Sequence, residues 1–222
     1  MNYSFFSNTA MFRGINADEA KEMLGCLDSF EKEYDKGETI LHAGDCTDKI
    51  GMVLSGSVNI EIDNIWGNKT ILGHVEAGQL FAESYACVPG EPLMVSVVAM
   101  EKSSVMFINT SRLFAPCQNA CVHHNKMIRN LLQISAQKNL SLSRRSLHTS
   151  SKSIRGRLMS YLSEQAKING SYQFKIPFNR QQLADYLGVH RRAMSNELSK
   201  MQNEGMLDFE KSRFSLKFDK EI

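Results

Sequence analysis

Residues 178–207 carry the side chains that are best suited to contact a ligand. Two adjacent arginines, Arg191 and Arg192, stand in a polar stretch that begins a helical segment. In the major groove of DNA, arginine can donate two hydrogen bonds to guanine, and asparagine can pair with adenine. The pattern predicts a helix-turn-helix that reads DNA through His190, Arg191, Arg192, Ser195 and Asn196. The alternative is an ordinary helical hairpin with a solvated basic face.

Two short helices joined by a glycine must position these side chains. Asn179 is followed three residues later by Gln182, which is the spacing of a capping box at a helix start. Gly188 permits the tight bend between the two helices. The apolar residues recur at helical spacing and are Leu183, Ala184, Leu187, Met194, Leu198 and Met201.

Charge separates the two halves of the chain. Residues 144–222 hold 15 Lys and Arg against 8 Asp and Glu, and residues 1–143 hold 11 against 16. The C-terminal part is therefore basic although the whole chain has a formal net charge of only +2. A basic module attracts a phosphate backbone, and such asymmetry is typical of nucleic-acid binding.

Further elements flank the helix-turn-helix. Apolar and polar residues alternate over 207–210 and 214–218, which predicts a β-hairpin with Lys211 and Arg213 near its tip. Upstream, a helix is expected from about Lys152 to Ile168. A Ser- and Thr-rich linker over residues 149–153 precedes it and is a plausible hinge.

Length and composition are those of a globular chain with two domains. Its 222 residues are 42% hydrophobic and 23% charged. No apolar run approaches the length of a membrane span and the N-terminus lacks a basic signal-peptide start, so we expect a cytoplasmic protein. The five cysteines form no close framework, so structural disulfides are not expected.

Residues 30 to about 108 have the pattern of β-structure. Eight of the 14 glycines lie between Gly37 and Gly90 and divide short apolar runs. In one run Val58, Ile60 and Ile62 alternate with polar residues, as in a half-buried strand. Short strands separated by glycine turns predict a sandwich or a roll.

A long helix is expected next, from about Ser111 or Cys117 to Arg144. A stripe with spacings of four and three runs along it through Cys117, Cys121, His124, Ile128, Leu131, Ser135, Lys138 and Leu142. Such a helix resembles half of a two-stranded coil. We therefore expect a dimer, whose twofold symmetry would match two DNA half-sites about one turn apart.

This order of elements resembles the Crp/Fnr family of bacterial transcription regulators over nearly the whole chain. The resemblance rests on residues 45–56, 65–72 and 78–83 and on the helix-turn-helix. It implies an α+β fold with an N-terminal double-stranded, jelly-roll-like β-roll, a long dimerisation helix (about 111–145) and a C-terminal winged helix-turn-helix. The expected domains are an effector-sensing part, residues 1–147, and a DNA-binding part, residues 148–222. The resemblance also implies a homodimer on a palindromic promoter site. Its effector would bind near the roll and the long helix and reorient the DNA-binding domains.

The resemblance assigns roles to individual residues. The base-reading positions of the family fall on Arg191, Arg192 and Asn196. Its backbone-contact positions fall on Asn179, Gln181 and His190. The family often has Glu where Arg192 stands and Arg where Asn196 stands, so only Arg191 matches the commonest pattern. We expect a half-site that retains a guanine opposite Arg191 and differs elsewhere.

The effector pocket departs from the cyclic-nucleotide members of the family. Those members hold ribose and phosphate with a Gly-Glu pair and an Arg-Ser or Arg-Thr pair, which correspond here to Ala82-Glu83 and Leu93-Met94. Residues 70–101 contain neither Lys nor Arg, so a buried cyclic phosphate would lack a cation and cyclic AMP is not expected. Glu83, Leu93 and Met94 would suit an apolar or uncharged ligand. Alternatively no ligand binds there, and these residues simply fill the roll.

A second candidate sensor comprises Cys117, Cys121 and His124, which share one helical face. Thiolates and imidazole suit a soft metal such as zinc, and two cysteines could instead form a disulfide. The alternative is that the cysteines pack as small apolar residues. Iron–sulfur members of the family use several cysteines near the N-terminus, where this chain has only Cys26, so that cofactor is not supported. A haem has no specific support either.

The sequence contains no phosphate loop, nucleophile elbow or HExxH motif, so an enzyme is not expected. It favours a transcription regulator gated by an unidentified effector, with RNA polymerase as a further partner if the regulator is an activator. A cysteine-based redox or metal-responsive regulator is one alternative. The other is a small-molecule binding module that does not act on DNA.

Overall fold

The computed structural model describes residues 3–63, 69–115 and 122–217. The chain divides at Gln137 into two units, residues 1–137 and 138–222. Every helix in the described part is too short or too polar to span a lipid bilayer.

The first unit contains the β-structure that the glycine-punctuated runs predict. Its strands are β1 (Phe30–Tyr34), β2 (Thr39–Leu41), β3 (Lys49–Ser55), β4 (Ser57–Asp63), β5 (Lys69–Glu76), β6 (Leu80–Phe81), β7 (Ser96–Ala99) and β8 (Ser103–Asn109). They pair antiparallel into two four-stranded sheets, with the orders β1-β8-β3-β6 and β2-β7-β4-β5. The predicted double-stranded roll is confirmed.

The helices of this unit include three that the sequence analysis does not predict, namely the first three along the chain. The helices are α1 (Tyr3–Phe6), α2 (Ala17–Cys26), α3 (Glu83–Ala86), α4 (Thr110–Phe114) and the long helix α5 (Val122–Thr149), which continues past the end of the unit. Of these, α1 and α2 bury Phe6 and Met23 in one core with Met127 and Leu131 of α5. Their formation depends on this packing, because isolated helices of this length are marginal in water.

The long helix does not begin at Ser111, the earlier of its two predicted starts. Helix α4 ends at Phe114, and Ala115 has extended backbone with φ −68° and ψ 146°. Ala115 precedes Pro116, whose ring disfavours the helical region for the residue before it. The later predicted start, Cys117, lies outside the described residues. The predicted end at Arg144 is also wrong, because α5 continues to Thr149.

The stripe predicted along α5 does not form one exposed face. His124 and Leu131 are buried in the first unit, whereas Leu142 is 67% exposed. A different row is exposed at spacings of three and four, through Gln133, Ala136, Leu140, Ser143 and Leu147. The first part of the predicted stripe is already used in the core that α5 shares with α1 and α2.

The second unit is a winged helix-turn-helix. Its elements are α6 (Ile154–Asn169), β9 (Gln173–Lys175), α7 (Arg180–Leu187), α8 (Arg191–Asn203), β10 (Leu207–Glu210) and β11 (Arg213–Leu216). The predicted hairpin is confirmed as β10 and β11, and the unpredicted strand β9 extends it to a sheet of order β10-β11-β9. Helix α6 starts at Ile154, not at Lys152, because the Ser153 side chain accepts from Gly156 N and caps it there.

The predicted apolar faces of α7 and α8 form the core of this unit. Leu183 and Leu187 of α7 and Met194, Leu198 and Met201 of α8 are all buried. Gly188 has φ +62° and ends α7 in the left-handed conformation that the bend requires.

Gly51 should be one of the positions in the roll that cannot take a side chain. A Cβ at Gly51 of β3 would overlap the ring of Phe81, which is 1% exposed. We expect Gly51→Ala to lower the free energy of unfolding by about 1–3 kcal/mol, as overpacked cores do. Urea unfolding measures this.

Gly25→Ala is the matched control. Gly25 lies in α2 and a Cβ there would meet no atom within 4 Å. Alanine should therefore raise stability by about 0.5–1 kcal/mol through the lower entropy of the unfolded chain. Equal effects at the two positions would contradict the proposed overlap at Gly51.

Candidate functional site

A capping box begins α7 and fixes the first helix of the candidate site. Gln182 N donates to Asn179 Oδ1 and Asn179 N donates to Gln182 Oε1, both at 2.9 Å. The side-chain oxygen Oδ1 of Asn179 is thus engaged, and the Nδ2 group of the same amide is left to donate elsewhere. A phosphate contact by Asn179 would use that group.

One groove brings together six of the seven residues predicted to contact DNA. It has a volume of about 690 Å³ and is lined by Gln181, Asp185, Val189, His190, Arg191, Arg192, Ser195 and Asn196. The N-terminus of α8 supplies most of this surface. His190 is the N-cap residue of that helix, but its ring makes no capping hydrogen bond.

The side chains of this groove that are predicted to read bases are available to a ligand. Arg191, Arg192 and Asn196 are exposed and Ser195 is half-buried. None of these four side chains makes a hydrogen bond or ion pair with the described part of the chain. Gln181 is different, because its Nε2 donates to Asp185 Oδ1 at 2.8 Å. The sequence analysis did not include Asp185, since a carboxylate has no obvious place on a surface for DNA.

Asn179, the seventh residue, lines a second groove of about 560 Å³ beside the turn of the β10–β11 hairpin, which is the wing. Exposed Lys175 of β9 and exposed Lys211 of the wing turn lie along the same groove. The sequence analysis missed Lys175, because a three-residue strand gives too short an alternation to recognise.

Arg180 also lines this second groove. Its guanidinium lies over the rings of Phe209 and Phe214, at 4.6 and 5.3 Å from their centroids. Burial lowers the pKa of Arg180 from its ordinary value. Arg180 therefore joins the start of α7 to the wing sheet by a cation–π contact.

An ion-pair cluster holds α8 on the side opposite the face that is predicted to contact DNA. Arg155 of α6 donates to Glu197 Oε1 at 2.6 Å and to both carboxylate oxygens of Glu204 at 2.7 and 3.0 Å. Hydrogen bonds to Glu204 first, and then to Glu197, raise the pKa of Arg155, and the same contact lowers the pKa of Glu204. The bidentate geometry holds one orientation of α8 against α6.

The three candidate effector residues of the roll occupy different surroundings. Glu83 is buried at the start of α3, Leu93 is 2% exposed and Met94 is 68% exposed. Ala82, which the sequence analysis places at the glycine of the family pair, has φ +59°. An alanine held in this left-handed conformation is strained, since its Cβ crowds the following carbonyl.

Of the candidate metal or redox set, Cys117 and Cys121 lie outside the described residues. His124 is buried, and its Nδ1 has no hydrogen-bond partner within the described chain. Two other cysteines, Cys46 and Cys87, line a cleft of about 500 Å³ in the first unit. Burial, and then the charge of Glu83, raise the pKa of the Cys87 thiol, which works against thiolate chemistry there.

Two family models match the two parts of the chain. The cyclic nucleotide-binding domain matches residues 31–119, and the Crp-like helix-turn-helix domain matches residues 156–217. No match is found among the curated proteins.

Solved structures share the fold at low identity. CprK in complex with OCPA is 16% identical with a TM-score of 0.61, over 88% of this chain and 91% of that chain. CLP, the c-di-GMP responsive global regulator of Xanthomonas campestris, is 19% identical with a TM-score of 0.52, over 89% and 98%. A roll that matches the one model, followed by a helix-turn-helix that matches the other, shows that this chain belongs to the Crp/Fnr family of DNA-binding transcription regulators.

Proposed function

We propose that this protein is a homodimeric regulator that binds a palindromic DNA site in a sequence-specific manner and responds to an effector other than cyclic AMP. The observation that carries the proposal is the groove at the start of α8. Six of the residues chosen from the sequence line it, and among them are two arginines that pair with no group of the described chain.

Base reading is assigned to the first two turns of α8. Arg191 and Arg192 stand at its N-terminus, where a recognition helix approaches base edges, and Asn196 follows one turn later. A free guanidinium can donate two hydrogen bonds to guanine, and the amide of Asn196 can pair with adenine. Neither group has to break a hydrogen bond to the described residues to do so.

Backbone contacts are assigned to the residues beside these readers. The Asn179 Nδ2 group, His190, Lys175 and Lys211 all border the two grooves. Lysines act on DNA as point charges that displace counterions, so they contribute affinity without sequence preference. The Gln181 amide, held by Asp185, completes the backbone-contact set.

Dimer formation is assigned to the exposed row on α5. Leu140 is 56% exposed and Leu147 is 69% exposed, and they are one heptad apart. Ala136 lies four residues before Leu140 and Ser143 four residues before Leu147, at the alternate positions of the same repeat. Leucines at heptad spacing on one helix are typical of a two-stranded coil. Twofold symmetry would then present two copies of α8 to two half-sites.

The proposed effector is uncharged or apolar. Among the described residues the buried polar and charged side chains include Glu61 and Glu83, but no Lys or Arg. A phosphate placed in the roll would meet carboxylates without a buried cation, which is costly. If the regulator activates transcription, RNA polymerase is a further partner. The cysteine-based alternative remains a prediction, because two of its three residues lie outside the described chain.

Selection of bound sequences from a random DNA pool tests the main proposal. We expect a palindrome with half-sites about 10 bp apart. Arg191→Ala should weaken binding to that site by about 1–3 kcal/mol and relax the preference at one base position. Affinities for the set of single-base variants of the site measure this.

Lys211→Ala is the matched control for Arg191→Ala, since each removes one positive charge. The lysine variant should weaken binding to all sequences about equally and reduce the salt dependence by roughly one charge. If Arg191→Ala behaved in the same way, Arg191 would contact only phosphate.

The dimer proposal is tested by placing charge on the exposed row of α5. Leu140→Lys or Leu147→Lys should raise the dimer dissociation constant roughly a hundredfold. The dimer contains each substitution twice, and each lost leucine should cost about 1.5 kcal/mol or more of association free energy. Sedimentation equilibrium measures it. Leu142→Lys is the control, since Leu142 is 67% exposed but lies on the other side of the helix. A dimer that Leu142→Lys alone disrupted would contradict the assignment.

The effector proposal is tested by thermal unfolding with cyclic AMP. We expect no shift of Tm at millimolar nucleotide, because the described part of the roll has no buried cation for the phosphate. A ligand at a hundred times its Kd would stabilise the protein by about 2.7 kcal/mol, which is readily measured. A rise in Tm with cyclic AMP but not with linear AMP would show that the proposal is wrong.

A further inference from the structure

The end of α7 presents more hydrogen-bond acceptors than the backbone can satisfy. The last four carbonyls of a helix have no partner within it. Here Val189 N donates to Ala184 O at 3.0 Å, and Gly188 N donates to Asp185 O at a longer 3.3 Å. The carbonyls of Tyr186 and Leu187 obtain their donors from other elements.

Two arginines supply these donors. Arg145, near the end of α5, donates from Nη2 to Asp185 O and from Nε to Tyr186 O, both at 2.9 Å. Arg157 of α6 donates from Nη1 to Leu187 O at 2.9 Å and to Gly188 O at 3.0 Å. Four successive carbonyls, from Asp185 to Gly188, therefore each accept from a guanidinium. Positive charge is favourable at this end of a helix, where the helix dipole is negative.

A second contact holds the last turn of α5 in the same place. His148 is buried, with Nε2 2.9 Å from Glu164 Oε2 of α6 and Nδ1 2.9 Å from the hydroxyl of Tyr186. Its ring meets the ring of Tyr161 edge-on, with centroids 5.4 Å apart. Burial, and then Glu164, raise the pKa of Tyr186, so its hydroxyl stays protonated and neutral. Arg145 is thereby fixed on a packed part of α5, although its own side chain is exposed.

We propose that Arg145 is a positioning residue for DNA reading, so that the end of the long helix is part of the recognition unit. The inference rests on the proposed function of α8. Gly188 and Val189 connect the carbonyls that Arg145 and Arg157 hold to His190 and Arg191, so the hydrogen bonds of Arg145 set the direction in which α8 leaves the turn. A change in the last turns of α5 would then reach the base-reading arginines directly.

The test compares Arg145→Ala and Arg145→Lys with Arg144→Ala in the full chain. Arg144 is the matched control, because it is adjacent and 57% exposed and its removal loses the same charge. Its Nε lies 3.7 Å from Glu164 Oε1, and it does not bond the α7 carbonyls. The measured quantity is the ratio of the Kd for random DNA to the Kd for the selected site. Amide hydrogen exchange of residues 186–190 without DNA is the second readout.

We expect the specificity ratio to fall roughly tenfold in Arg145→Ala, as for the loss of charged hydrogen bonds, and exchange at Gly188 and Val189 to quicken. Arg145→Lys should resemble Arg145→Ala, since an ammonium cannot reproduce the planar pair of donors. Arg144→Ala should weaken binding to both DNAs alike and leave the ratio and the exchange unchanged.

Two results would overturn the proposal. One is an Arg145→Lys variant with wild-type specificity and exchange, which would show that only charge matters. The other is an Arg145→Ala variant that behaves as Arg144→Ala does. If the wild-type protein showed no sequence preference, the proposed function would fail, whereas the exchange measurement would still decide whether Arg145 holds the turn. Should Arg145→Ala fail to fold, Arg145→Lys provides the same comparison.

Discussion

The DNA-reading unit depends on how the two ends of one short helix satisfy their hydrogen bonds. Helix α7 has eight residues, so a large share of its backbone groups have no partner within it. The capping box of Asn179 and Gln182 satisfies its start, and two arginines from other helices satisfy its end. The left-handed Gly188 then directs the chain into α8. A helix this short would not persist alone in water, so its neighbours define it.

The same unit separates its arginines into two groups by what they contact. Arg145, Arg155 and Arg157 donate hydrogen bonds to carbonyls and carboxylates of the unit itself. Arg191 and Arg192 have no such partners in the described chain and stand at the start of α8. Net charge therefore explains attraction to a polyanion, but only the unpaired guanidiniums can read bases. The Arg155 cluster keeps α8 in place without using its reading face.

The roll keeps the architecture of a nucleotide-binding domain while changing its electrostatics. It matches the cyclic nucleotide-binding model, yet no Lys or Arg is buried in the described residues. Glu83 is retained in a buried position, next to an Ala82 that holds the backbone conformation of a glycine. Shape and charge are thus independent properties of this domain, because apolar packing holds its sheets together.

By itself, the sequence determined the elements whose signals lie close together along the chain. The capping box of α7, Gly188 and the apolar spacing of α8 all act within a few residues, so pattern and structure agree. The alternation in β4 predicted the strand but not its buried face, because Asn59 and Glu61 are buried whereas Ile62 is 38% exposed. Tertiary structure alone decided the remainder. Helices α1 and α2 and strand β9 form only against partners, and packing in the first unit buries the early part of the stripe predicted for dimer contact. The arginines show the reason most clearly, because Arg145 reaches carbonyls 40 and 41 residues away and Arg157 reaches carbonyls 30 and 31 residues away. No local pattern could distinguish these from Arg191 and Arg192, since a side chain is free or engaged only through what the fold brings beside it.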